Sequence, residues 1–210
     1  MQRIGLIGFI QMLTSLSGII LLPILTKNLS IEDYGMWAQI SVTIDMVPGL
    51  VMLGLPYTMV RFLPTIEKKE EIQETFYSIF FIVLFTSGLA SLVLYFFSSQ
   101  IASKLFDNNI IIVKILSLIV FVECLNNLLL NYLRAKEQIK KYSLIIFYST
   151  TSQLLIISFF VLMGKGILGA TIGMLIKTVI LFSVTTFKVI PEIGIKKPLF
   201  KNINEYLKFG

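Results

Sequence analysis

Apolar residues fall into six long stretches separated by short polar segments, at 4–26, 36–62, 76–98, 110–133, 142–163 and 166–189. Each is close to the ~20 residues that a helix needs to cross the hydrocarbon of a bilayer. The pattern predicts an all-α, polytopic integral membrane protein with a six-helix bundle over residues 1–195. The remaining segment, 196–210, places Leu199, Ile203, Tyr206 and Leu207 at helical spacing between lysines, as in a helix lying in the membrane interface.

The polar residues inside these stretches carry the next step. The second contains Asp45, Pro48-Gly49, Gly54, Pro56 and Arg61. Proline and glycine interrupt the helical hydrogen-bond ladder, so Pro48, Gly49, Gly54 and Pro56 are the candidate hinges. Its entry is defined by Ser30, placed to cap a helix whose first turn holds Glu32 and Asp33. The fourth, fifth and sixth stretches carry Glu123, Gln153 and Lys177 near their centres, and Asp45 lies within about one turn of the middle of the second. Four polar side chains on four helices are thus expected in one layer. A charge there costs roughly 2.5–3.5 kcal/mol on insertion scales, so the layer calls for pairing or water. Lys177 either pairs with Glu123 or Asp45 to hold the bundle together, or these groups line a path in which a carboxylate titrates or binds a cation. Asp45, Arg61, Glu123, Gln153 and Lys177 are therefore the substrate or ion pathway candidates. Arg61, near a span end, reads equally as a snorkelling anchor or as a guanidinium suited to paired phosphate oxygens.

Composition agrees with this picture and narrows it. Of 210 residues 56% are apolar and 14% charged, with mean hydropathy +0.86, against about a quarter charged in soluble domains. Histidine is absent and Cys124 is the single cysteine, which removes disulfides, cysteine-cluster metal sites and the commonest general acid–base residue. No metal, no cofactor and no catalytic residue is expected, and the chain does not read as an enzyme. The net charge of +6 is a topology signal. With the N-terminus inside, only Lys27, Lys104, Lys114 and Lys165 fall on the outer side, and apart from Lys177 the rest of the 18 basic residues are cytoplasmic. Both termini are then cytoplasmic, and nucleic acid is not an expected partner. Gly164-x-Gly166-x-x-Gly169 has the letters of a dinucleotide-binding turn but follows a span, not a strand; Gly166, Gly169 and Gly173 instead suit close helix packing.

Two segments carry a family resemblance. Thr26-Lys27-x-Leu29-Ser30-x-Glu32-Asp33-Tyr34-Gly35 after the first span, and Asn131-Tyr132-Leu133-Arg134-Ala135-Lys136-Glu137-Gln138 with Lys141-Tyr142 after the fourth, resemble the corresponding loops of polysaccharide-biosynthesis membrane proteins. These are the O-antigen and lipid-linked oligosaccharide flippases of the multidrug/oligosaccharidyl-lipid/polysaccharide exporter superfamily. The resemblance implies that the six helices form one half, the N-lobe, of a two-lobe exporter fold, with 196–210 leading to a missing seventh span. It also implies translocation of a polyprenyl-pyrophosphate-linked oligosaccharide from the cytoplasmic to the outer leaflet by alternating access, coupled to H+ or Na+. Partners would be the lipid-linked glycan, membrane lipids, and a second half, a second copy or a partner subunit; the location would be the cell membrane. The alternatives are a multidrug or lipid exporter of the same superfamily, a polytopic cell-envelope enzyme, or a non-transporting membrane scaffold.

Overall fold

The structure is a computed structural model describing residues 2–194, with side chains described at residue 12 and from residue 16 onward. The interfacial segment expected at 196–210 lies outside the described residues. Eight α-helices follow in order: α1 (Gln2–Asn28), α2 (Ile31–Val51), α3 (Leu55–Phe62), α4 (Lys69–Phe96), α5 (Ser98–Leu105), α6 (Ile110–Ala135), α7 (Ile139–Leu162) and α8 (Gly166–Ile193). No strand occurs among the described residues.

Among the described residues four helices, α4, α6, α7 and α8, are long and apolar enough to cross a membrane, and α2 with α3 passes the same test as a pair bent by 61°, in the manner of a broken span or a re-entrant loop. The expected first span coincides with α1, whose described apolar part, Leu16–Asn28, falls short of a crossing length. Half of the apolar window of α6 and of α8 is buried, against 17% for α4 and α7. This ranks the helices: α6 and α8 form the interior, and α4 and α7 turn most of their surface outward. Helix α4 packs on one flank of α6, α8 on another, α2 and α3 on a third, while α7 lies against α8 and carries α1.

Lipid tails are as apolar as leucine, so burial alone does not hold such helices together; close packing and interhelical hydrogen bonds do. Gly169 and Gly173 of α8 let it approach α7: a Cβ on Gly169 would come 3.3 Å from Phe160 Cβ, and one on Gly173 3.4 Å from the Ile157 Cα. Gly166, the third glycine expected in that contact, starts α8 at φ +55° beside the Asp33 carboxylate. Between α4 and α6, the Ser91 hydroxyl donates to the Ser117 carbonyl at 2.8 Å. At the far end of α8, Gln73 and Tyr77 of α4 donate to the Ile193 and Gly194 carbonyls at 2.6 and 2.9 Å.

Local signals explain two helix starts. Ser30 caps α2 by accepting the Asp33 amide at 3.0 Å, and Asn109 caps α6 by accepting the Ile112 amide at 3.4 Å. Two boundaries differ from expectation. The charge run 67–74, which by composition reads as a solvated loop, is helical from Lys69, where Glu70 and Glu71 in the first turn suit the positive end of the α4 dipole. The polar end of the third span, Ser98-Ser99-Gln100, opens a separate short helix, α5, that buries Ser98 and Ala102 and exposes Lys104.

Candidate functional site

The second span is continuous through Pro48-Gly49 and breaks four residues later. Pro48 sits inside α2, buried, and its carbonyl still accepts the Met52 amide at 3.0 Å. The break comes at Leu53 and Gly54, both left-handed at φ 50° and 67°, and Pro56 lies in the first turn of α3, where a missing N–H leaves nothing unmatched. Glycine tolerates that backbone and leucine does so only at a cost. Arg61 is exposed on α3, with its guanidinium 5.6 Å from the centre of the Phe62 ring.

Among the pathway candidates the fold brings Glu123 and Lys177 together. Glu123 points from α6 toward α8, and Lys177 Nζ lies 3.9 Å from its Oε1, with Lys177 only 7% exposed. Asn126, one turn along α6 and fully buried, joins both helices: its amide donates to Glu123 Oε2 at 3.4 Å and to the Thr178 carbonyl at 3.1 Å. The Asn126 Oδ1 and the Thr178 hydroxyl are buried with no hydrogen-bond partner among the described residues. Asn126 was visible in the sequence as a second polar residue of that stretch, while Thr178 gave no signal, since threonine is unremarkable in a membrane helix.

The other two mid-span candidates stand apart. Gln153 of α7 is half-buried, and Asp45 of α2 is exposed; neither makes a hydrogen bond or ion pair among the described residues. Asp45 shares its face of α2 with Gly35, Ala38, Val42 and Gly49, all exposed, and a Cβ on Gly35 or Gly49 would meet nothing within 4 Å. That side of α2 is open.

A further polar cluster gathers at the end where α6 stops, α7 starts and α8 ends. The Glu192 carboxylate of α8 is held by Lys141 and by Gln138, whose amide donates at 2.7 Å. Close by on α6 and α7, Arg134 Nη1 donates to Asn131 Oδ1 at 3.2 Å, and the guanidinium carbon lies 5.9 Å from the centre of the Tyr142 ring. Gln138 and Lys141 belong to the motif-bearing loop after α6, but their partner Glu192 gave no signal, because pairing across some fifty residues has no local period.

Chemically, the interior offers one carboxylate, one ammonium and neutral oxygens. Among the described residues no three His, Cys, Asp or Glu side chains gather as for a metal ion, and Cys124 is free and buried. Such a set suits charge compensation between α6 and α8.

Comparison with known proteins closes the question of kinship. Residues 24–210 match the family model described as polysaccharide biosynthesis protein. No curated protein and no solved structure matches the chain. With several helices fit to cross a bilayer and a family match over most of its length, the chain is a multi-pass membrane protein of the polysaccharide biosynthesis protein family.

Proposed function

We propose that this protein is the N-terminal lobe of a flippase that moves a polyprenyl-pyrophosphate-linked oligosaccharide from the cytoplasmic to the outer leaflet of the cell membrane by alternating access. The observation that carries the reading is Asp45, a carboxylate exposed on an open face of α2 within about one turn of mid-span. Lipid contact would cost it roughly 2.5–3.5 kcal/mol, so this face belongs opposite water or another polar surface. A wall that is apolar toward its own bundle and sets one carboxylate among small side chains on its outer face suits one side of a pathway between two lobes. In this reading α1 is the first of six crossings, both ends of the bundle are cytoplasmic, and the opposing wall comes from a second half, a second copy or a partner subunit. The 61° bend between α2 and α3 is where the wall flexes. Arg61, beyond the bend, meets the lipid diphosphate with a planar, two-pronged donor.

The test is leaflet exchange of a fluorescent polyprenyl-pyrophosphate oligosaccharide in membrane vesicles from cells producing the protein. Wild-type vesicles should move it without chemical change, and Asp45→Asn should slow that movement while the protein still inserts. Chemical turnover of the probe would replace the flippase with an envelope enzyme. No difference from vesicles lacking the protein would leave a scaffold.

A further inference from the structure

Along the second half of α6 one narrow line is left uncovered. From Glu123 to Ala135 every residue is buried except Glu123, Asn127, Leu130 and Arg134. Steps of four, three and four residues put these on one face of the helix, and three of the four are polar. The line is also bonded along its length. Arg134 Nη1 donates to Asn131 Oδ1, and the Asn131 amide donates in turn to Asn127 Oδ1 at 3.1 Å. That chain uses the Asn127 oxygens and leaves its side-chain N–H groups without a partner among the described residues. At its deep end the line meets α8 through Glu123 and Lys177, and at its shallow end it meets α7 through Arg134 and Tyr142. The first half of α6 is the contrast. Its exposed residues are Ile110, Ile111, Lys114 and Leu118, and the one polar group among them, Lys114, lies over the Tyr95 ring. Leu118 is two and a half turns from Asn127, and so on the opposite side of the helix. Hydrocarbon accepts the first face; an amide with unmatched N–H groups is costly there.

We propose that this line is the floor of a water-filled inlet, open at the end where α6 stops and reaching inward to the Glu123–Lys177 pair. Water supplies the acceptors that Asn127 lacks, and the pair at the deep end communicates with one aqueous side. The inference concerns where water reaches α6 and not what the protein moves, so its test and the leaflet-exchange test can fail separately.

The experiment places single cysteines in a Cys124→Ala background and treats sealed vesicles of either orientation with a small, permanently charged methanethiosulfonate, which reacts with the thiolate and hence with thiols in water. Asn127→Cys should be modified at least about tenfold faster than Leu118→Cys, which lies equally far from the middle of α6 on its apolar side. The modification should come only from the side that labels Lys140→Cys, at the start of α7. Leu130→Cys, on the same line, leaves the chain from Arg134 to Asn127 intact; it should react from that side too, and it carries the test if Asn127→Cys does not fold. Rates at both Asn127→Cys and Leu130→Cys no higher than at Leu118→Cys would overturn the proposal, because the line would then be covered by lipid or by another helix. Modification from the opposite side, alone or as well, would overturn it too.

Discussion

At the scale of single residues, the energetics follow from what each side chain would leave behind. Ser30 satisfies the Asp33 amide at the start of α2; Ser30→Ala should destabilise the protein by about 1 kcal/mol, measured by denaturant unfolding in micelles. Lys177→Leu strands Glu123, and because that carboxylate keeps 20% of its exposure, the loss should be about 1–3 kcal/mol, below the range for a fully buried pair. The sequence made Ser30, Glu123 and Lys177 visible for a common reason: each breaks a strong local pattern, a cap before an apolar run or a charge within one. Thr178 and Glu192 break no pattern. Their partners arrive from distant positions, 52 residues away for Thr178 and 51 for the Lys141 of Glu192, and no local period encodes such a meeting.

At the scale of elements, the second span shows how local and tertiary preferences divide the work. Proline and glycine suggested hinges at Pro48-Gly49 and at Gly54-x-Pro56, yet α2 passes through the first of these, because proline forfeits the bond to the residue four before it and keeps its own carbonyl available to Met52. The turn is made instead by Leu53 and Gly54 in the left-handed region. Gly54→Ala should therefore cost roughly 1–2 kcal/mol, and Leu53→Gly should lower the cost of the bend; unfolding midpoints of the two variants are expected to shift in opposite directions. The α7–α8 contact was legible from the glycine spacing, since a Cβ at Gly169 or Gly173 would already touch Phe160 or Ile157 and anything larger would find no room. Gly173→Leu should separate these helices and lower the melting temperature. The extent of α4 was less legible: a charge run reads as a loop by composition, while a helix N-terminus welcomes Glu70 and Glu71.

At the scale of the whole molecule, hydrophobic runs gave the helical class and nearly all helix positions, because in a bilayer each backbone must satisfy its own hydrogen bonds within the segment. They could not say which helices would be interior, since every span is apolar; the ranking of α6 and α8 over α4 and α7 arises from packing partners. Sidedness, read from the basic residues, is open to direct measurement. Cys124 is the single cysteine and is buried, so a Cys124→Ala background is silent to thiol reagents. In it, an impermeant maleimide should label Lys140→Cys, at the start of α7, only in inside-out vesicles, and Ser103→Cys, on α5, only in intact cells; reversed labelling would invert the proposed orientation. One buried residue offers a further handle. Trp37 is the only tryptophan, and it lies at 8% exposure where α2 meets the bundle. The protein's indole emission therefore comes from one place, so a change in its wavelength or quenching on adding the glycolipid would report, without any label, movement of the helix that carries Asp45.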